Sequence, residues 1–288
     1  MIIVTGAAGF IGSRVVYLLN ARGINNIIAI DRAEQFSKNN YLENCKCIKI
    51  PFGNKRYFDY PVSAVIHIGA ISDTLEKEWD QFNTYNVTNT IFWKDFAKVR
   101  KIPFVWASSS AIYGNGSGPL NQYATSKLLS EQQCDGDVAA LRFFNVYGPN
   151  EAHKGRMASV IFNWFNQLKN TGNIRVFEQS SLYNRDLIHV DDVCRIVLHM
   201  VENYVPGIYD VGTGTSENME KIAVMLLSNM NLDHNSMIKV PMPVDLKSQY
   251  QYNTRAILDN LTNVKFDISS IRPLSTGMVN YVDYLKNL

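Results

Sequence analysis

Tyr123 and Lys127 stand four residues apart in the run Tyr-Ala-Thr-Ser-Lys, a spacing that puts both on one face of a helix. A free phenol, with a pKa of about 10, carries protons poorly at neutral pH. A neighbouring ammonium favours the phenolate and brings that pKa down, so the pair is suited to exchanging a proton with a hydroxyl. Ser109 ends the apolar run Val105-Trp-Ala107 within Ser108-Ser109-Ser110. The carboxyl end of such a strand is where α/β sheets bind ligands, and there the Ser109 hydroxyl can hold the oxygen that Tyr123 would protonate or deprotonate.

A second constellation implies what the proton is exchanged against. Gly6, Gly9 and Gly12 lie between the apolar run Ile2-Ile3-Val4 and a helix-patterned stretch, Ser13 to Ala21, with Gly23 as its C-cap. Gly6 permits the tight turn, Gly9 lets a pyrophosphate approach the backbone, and Gly12 lets helix and strand pack closely. The helix N-terminus then offers unpaired N–H groups to phosphate. Asp31 ends the next apolar run, Ile27-Ile28-Ala29-Ile30, where a carboxylate can accept from the adenosine ribose. Arg32 and Lys38 follow, and a guanidinium beside the ribose can pair with a 2′-phosphate. These cations tilt the dinucleotide toward NADP, while Asp31 still suits NAD. With a nicotinamide bound, proton exchange at Tyr123 can accompany hydride transfer from the carbon that bears the hydroxyl.

Strand, glycine turn, helix and strand within the first 31 residues make a βαβ unit, and the alternation continues. Ala64–Ala70, Pro103–Ser109 and Ala139–Val146 read as strands; Trp79–Val99 and Tyr123–Gln133 read as helices. The expected architecture is a doubly wound Rossmann-type parallel sheet carrying a smaller α/β unit. Further on, Met157–Lys169, Asp191–Glu202 and Met219–Leu227 read as helices, with Ile174–Phe177 and Ile208–Gly212 as strands. Residues 1–149 and 185–214 are assigned to the dinucleotide-binding domain, and 150–184 with 215–288 to a substrate-binding domain. His189-Val-Asp191-Asp192 has the composition of a metal cluster, but Asp191 reads better as a helix N-cap, and no metal is expected. His67 ends a buried strand and is expected to satisfy a backbone group, with Phe144 and Tyr147 in the core.

The chain has 288 residues, 46% hydrophobic and 19% charged, with a net charge of +2. These proportions suit a globular protein with a substantial core and give no electrostatic case for nucleic acid. The four cysteines have no zinc or redox spacing and are expected as free or buried thiols. No apolar run is long enough to span a membrane, and the chain opens without a signal pattern; a cytoplasmic setting is expected.

Thr5-Gly-x-x-Gly-x-x-Gly12, Ser108-Ser109-Ser110-Ala-Ile-Tyr113-Gly114, Tyr123…Lys127 and Arg142-Phe-Phe-Asn145-Val-Tyr-Gly-Pro149 together resemble the extended short-chain dehydrogenase/reductases, which act largely on nucleotide-activated sugars. A narrower set resembles the ADP-L-glycero-D-manno-heptose 6-epimerases. It comprises Glu151-Ala-His-Lys154-Gly-Arg-Met-Ala-Ser-Val160, His67 to Thr74, Val176-Phe-Glu-Gln-Ser180, Tyr183-Asn-Arg185-Asp186 and Lys247-Ser-Gln-Tyr250.

The resemblance implies inversion of one sugar stereocentre by transient oxidation and re-reduction with bound NADP. It makes Tyr123 one acid/base group and Lys154 the second, each serving one orientation of the hydroxyl; Lys127 tunes Tyr123 and Ser109 positions the oxygen. Cofactor contacts are implied at Gly6, Gly9, Phe10, Ile11, Gly12, Asp31, Arg32, Lys38, Ile68, Gly69, Ala70, Ile71, Ser72, Asn86, Lys127, Val146 and Lys154. Substrate contacts are implied at Ser109, Asn145, Arg156, Asn163, Phe177, Glu178, Gln179, Ser180, Arg185 and Tyr250, with Arg185 able to bridge a diphosphate. A homo-oligomer is also implied. Ile68, Arg156 and Asn163 depart from the family pattern, and the loops after Gly114 and Cys134 are short; these departures bear on which sugar is accepted. The alternatives are another nucleotide-sugar 4-epimerase or 4,6-dehydratase, or a non-catalytic dinucleotide-binding protein.

Overall fold

A computed structural model describes residues 1–134 and 136–288. Seven parallel strands form the central sheet, in the order Gly207–Val211, Ala139–Phe143, Phe104–Ser109, Ala64–His67, Ile2–Thr5, Ile27–Asp31 and Ile48–Pro51. The order reverses beside the first strand, which opens a crevice at the carboxyl ends of its neighbours. Both faces are covered, so the inner strands are largely apolar, while the edge strand Ile48–Pro51 alternates through Lys49. Val4, Ala29, Ile66 and Val105 face one way, against Val15, Val16 and Leu19 of the helix Phe10–Ala21 and Val193, Ile196 and Val197 of the helix Val190–Glu202. Ile3, Ile28, Val65 and Trp106 face the other way, against Trp93, Phe96 and Ala97 of the helix Asn89–Arg100. Fully burying each such large side chain contributes about 1.5–3 kcal/mol.

A second core gathers Ile161, Trp164 and Phe165 of the helix Val160–Thr171, Ile222 and Leu226 of the helix Met219–Asn229, and Met278, Tyr281 and Val282 of the helix Leu274–Lys286. Three short strand pairs complete it: Asn145–Tyr147 with Leu187–His189, Ile174–Phe177 with Met237–Val240, and Asn184–Arg185 with Glu217–Asn218. Of the stretch 215–288 assigned above to the substrate-binding unit, Leu261, Phe266 and Ile271 pack into the core of the main sheet. Among the described residues no helix is long and apolar enough to cross a membrane.

Several expectations are corrected. The run Ala139–Val146 is two strands, because the chain leaves the sheet at Phe144, whose N–H turns to the Val211 carbonyl at 3.0 Å. The strand at 64 stops at His67. The helix expected at Met157 begins at Val160, where Ser159 caps it by accepting from the Phe162 N–H. Asp191 is not the N-cap of its helix: His189 is, its Nδ1 accepting from the Asp191 N–H at 3.2 Å. That leaves the Asp191 carboxylate to pair with Arg14 of the first helix. His67 meets two hydroxyls, Thr5 Oγ1 at 2.6 Å and Thr90 Oγ1 at 3.1 Å, rather than a backbone group. The long helix from Trp79 runs to Arg100 with a wide π turn over Asn83–Thr88.

Candidate active site

The glycine turn is shaped by backbone collisions that only glycine avoids. Gly6 has φ +64°, and a Cβ there would lie 2.7 Å from Gly69 of the neighbouring strand's loop. A Cβ at Gly12 would lie 2.1 Å from the Gly6 carbonyl oxygen. The helix after the turn has Gly9 as its N-cap, with no side-chain capping bond, so its first N–H groups face the crevice. Asp31 ends the second strand, its carboxylate accepting from the Ala8 N–H at 2.9 Å and the Arg32 N–H at 2.8 Å. Burial pushes its pKa up, and those two bonds work against the shift. A cleft of about 700 Å³ opens over these groups. Its size, the uncapped helix end and the carboxylate at the ribose position fit a dinucleotide.

Gly6, Gly9, Phe10, Ile11, Gly12, Asp31, Arg32, Ile68, Gly69, Ala70, Ile71, Ser72, Ser109, Tyr123, Lys127, Val146 and Lys154 all line this one cleft. The chain brings them together from four strand ends of the main sheet, the short strand Asn145–Tyr147, two helices and a turn. Asn121 starts the Gln122–Gln132 helix by accepting from the Ala124 N–H at 2.9 Å, which sets Tyr123 and Lys127 on consecutive turns. The Lys127 ammonium is buried and donates to the Ala107 carbonyl at 2.6 Å. Burial brings its pKa down from 10.5 to about 7. Tyr123 is held above the ordinary phenol value by burial, and a hydrogen bond with Ser109 opposes this. The expected lowering by Lys127 is not among the influences on Tyr123. Ser109 Oγ also accepts from the Ala111 N–H at 3.2 Å, which leaves its proton to donate. Lys154 comes from the turn Ala152–Met157, its ammonium 5.4 Å from the centre of the Phe10 ring. Burial lowers its pKa, and the charge of Glu151 raises it.

Lys38 and Asn86 do not line the cleft. Lys38 is exposed at the end of the helix Ala33–Lys38. Asn86 is buried in the π turn; its amide accepts from the Ile71 N–H at 2.8 Å and donates to the Ile71 carbonyl at 3.0 Å and Ser126 Oγ at 2.9 Å. It pins the loop that faces the cleft rather than facing it itself. Arg156 is exposed and paired with Asp73 at 2.9 Å. Asn163 donates to the Ala158 carbonyl and Asn145 to the Asp186 carbonyl, each at 2.9 Å.

The other residues of the implied substrate set form a separate group on the second unit. The Arg185 guanidinium lies 4.7 Å over the Tyr250 ring, which meets Phe177 edge-on at 5.8 Å. Gln179 accepts from the Tyr183 hydroxyl at 2.9 Å, Glu178 is exposed, and Ser180 is buried against Lys239. Arg185 and Asp186 do not pair with each other: the Asp186 carboxylate accepts from Thr213, Gly214 and Ala256. Sequence reasoning missed Gln35, Phe52, Tyr85 and Phe144, which also line the cleft. The alternation Ile48-Lys49-Ile50 before Pro51 is the signal that would have located Phe52.

The whole arrangement has counterparts. Residues 2–212 match the family model described as the NAD dependent epimerase/dehydratase family. The ADP-L-glycero-D-manno-heptose-6-epimerase of Alkalilimnicola ehrlichii is 36% identical, in an alignment covering 98% of this chain and 97% of that one. Among solved structures, the Helicobacter pylori ADP-L-glycero-D-manno-heptose-6-epimerase superposes with a TM-score of 0.86 at 20% identity, over 100% of this chain and 96% of that chain. The UDP-glucuronic acid 4-epimerase of Bacillus cereus, in complex with UDP-glucuronic acid and NAD, superposes with a TM-score of 0.82 at 21% identity, over 99% of each. From the glycine turn, the lined crevice and these matches together, the chain belongs to the NAD dependent epimerase/dehydratase family.

Proposed function

We propose that the protein epimerises a nucleotide-activated sugar, converting ADP-D-glycero-D-manno-heptose to ADP-L-glycero-D-manno-heptose at the sixth sugar carbon. The observation that carries this reading is the presence of two proton carriers from separate elements, Tyr123 and Lys154, in the cleft that fits the dinucleotide. One carrier suffices for a one-way oxidation. A second, placed apart from the first, suits a reaction in which the oxygen gives up its proton in one orientation and takes one back in the other. The 36% identity to an ADP-heptose 6-epimerase along nearly the full chain supports the choice of sugar.

A nicotinamide dinucleotide held by the Gly6–Gly12 turn and Asp31 would supply reversible hydride transfer with the sugar carbon. Tyr123 and Ser109 hold the hydroxyl oxygen of one epimer, and Tyr123 moves its proton. The Lys127 ammonium supplies positive charge on the same helix face. Lys154, with its pKa lowered by burial, moves the proton of the other epimer. Arg185, Tyr250 and Phe177 supply a cation and ring faces for the nucleotide diphosphate and base.

We assign NADP as the cofactor on Arg32, whose side chain is half exposed at the cleft and only loosely paired with Glu34 at 3.3 Å. A 2′-phosphate competes well for such a guanidinium. Replacing Arg32 by Ala should weaken NADP binding by about tenfold to a hundredfold, the worth of one charge-assisted bond, and leave NAD binding within about twofold; equal losses for both would withdraw the assignment. The same reading implies a homo-oligomer working in the cytoplasm. The decisive assay presents the two ADP-heptose epimers and a UDP-sugar panel to the purified protein and follows the sugar stereochemistry by NMR. Interconversion of the heptose epimers is expected. Turnover of a UDP-sugar alone would favour a 4-epimerase or dehydratase, and inertness to every sugar a binding protein.

A further inference from the structure

The turn that carries Lys154 is closed at both feet on a single buried carboxylate. Glu151 is 1% exposed. Its Oε1 accepts from the Gly148 N–H at 3.1 Å, from the Ser159 hydroxyl at 2.7 Å and from the Tyr281 hydroxyl at 2.8 Å. Its Oε2 accepts from the Ser159 N–H. Gly148 precedes the turn and Ser159 follows it, so residues 148–159 form a ring drawn shut by one side chain. Ser159 also caps the next helix, and Tyr281 belongs to the helix Leu274–Lys286. The ring is thereby fastened to two rigid elements of the second core.

Among the described residues, the Asn163 amide donates to the Ala158 carbonyl at 2.9 Å beside the second foot, and the tip of the ring has weaker or exposed contacts. Arg156 meets Asp73, the Thr74 hydroxyl meets the Met157 sulfur at 3.8 Å, and the Tyr41 hydroxyl lies 3.3 Å from His153. Within it, Gly155 has φ +52° and open space where a Cβ would stand, so no packed side chain at that kink fixes the course of the backbone. The position of the Lys154 ammonium over the cleft therefore depends on the feet.

We propose that Glu151 is the positioning residue for Lys154: its carboxylate closes the 148–159 ring and holds the ammonium where it can serve one epimer of the substrate. The inference rests on the reading of Lys154 as the second proton carrier. An amide cannot replace the carboxylate. In either flip its NH₂ would face a backbone N–H, that of Gly148 or that of Ser159, so the Glu151→Gln ring must open at one foot.

The test compares wild type, Glu151→Gln and Lys154→Met by two readouts. In the first, each ADP-heptose epimer is mixed with excess enzyme and reduction of the bound nicotinamide is followed by its near-ultraviolet absorbance. Lys154→Met should slow one epimer and spare the other. Glu151→Gln should slow that same epimer by about tenfold to a hundredfold, the cost of a misplacement of about 1 Å, and leave the other within about twofold. The second readout is amide hydrogen exchange, which should quicken by at least about tenfold over 152–158 while the 122–132 helix and the glycine turn keep their protection.

Equal slowing of both epimers by Glu151→Gln, or unchanged exchange in the ring, overturns the inference. If Lys154→Met itself spares both epimers or slows both alike, the two-carrier reading fails instead. Of the four donors to Glu151, Tyr281→Phe removes the one that comes from outside the ring, and it keeps the test open if Glu151→Gln does not fold. It should show the same one-sided slowing to a smaller degree, and equal slowing of both epimers by this variant also overturns the inference.

Discussion

Lys127→Met should make the cofactor-free protein more stable while destroying its catalysis. The Lys127 side chain is 2% exposed, and its pKa falls from 10.5 to about 7, with burial as the cause. Each factor of ten in that equilibrium is about 1.4 kcal/mol, so carrying the ammonium into the folded state costs about 4–5 kcal/mol below neutral pH. Met fills a similar volume without a charge. It leaves the Ala107 carbonyl without its 2.6 Å donor, which gives back about 1–3 kcal/mol. The net gain is about 1–4 kcal/mol at pH 6, or roughly 2–10 °C in Tm for a chain of this size. The pH dependence is the sharper signature. Below about pH 7 the lysine is charged in both states and the penalty is full. Between about pH 7 and 10.5 the unfolded chain binds more protons than the folded one, so wild-type stability rises with pH by up to about 1.4 kcal/mol per unit. The advantage of the variant must therefore shrink across that window and can reverse at its top. Urea melts of nucleotide-stripped protein at pH 6 to 10 measure both effects. A difference between the two proteins that stays constant with pH would refute the reasoning, because it would mean that Lys127 keeps its charge when buried.

Gly12→Ala places a methyl 2.1 Å from the Gly6 carbonyl oxygen; the glycine turn must move, and dinucleotide affinity should fall by at least about tenfold in calorimetric titration, with the rest of the fold retained. Asp186→Asn sets an amide NH₂ among donors from Thr213, Gly214 and Ala256 at 2.7–3.0 Å, and should cost about 2–4 kcal/mol in chemical denaturation, since at least one buried N–H loses its acceptor.

What could be read in the sequence was set by local chemistry. The glycine turn, Asp31, Ser109 and the Tyr123–Lys127 pair were legible because each sits at the carboxyl end of an apolar run, or one helical turn from its partner, and the parallel sheet brings such ends together. Lys38 and Asn86 stand at sequence positions that suggest the cleft, yet neither lines it. A side chain's register position does not say whether it faces the cleft or, like Asn86, turns back to hold a loop. The strand Ile48–Pro51 is hard to read because Lys49 interrupts its apolar run at an edge of the sheet, where a polar residue carries little penalty. The helix Leu274–Lys286 is masked in a related way: Pro273 and Gly277 look like breakers, yet Pro273 is its N-cap. Gly277 is tolerated because the Tyr147 hydroxyl occupies the space of its missing Cβ, at 2.0 Å.

Glu151 shows the limit most clearly. It stands three residues before Lys154 in a polar stretch, and there a carboxylate ordinarily meets solvent. Its burial depends on Tyr281, 130 residues away, and on a second core that forms only when the helices Val160–Thr171, Met219–Asn229 and Leu274–Lys286 meet. No periodicity or motif spacing encodes such a contact. The first proton carrier lies on a helix that its own sequence starts and aligns, with Asn121 as cap. The second lies on a turn whose shape is imposed by distant parts of the chain. The two carriers should therefore differ in robustness: substitutions in the C-terminal helix ought to disturb the Lys154 half of the reaction and leave the Tyr123 half intact.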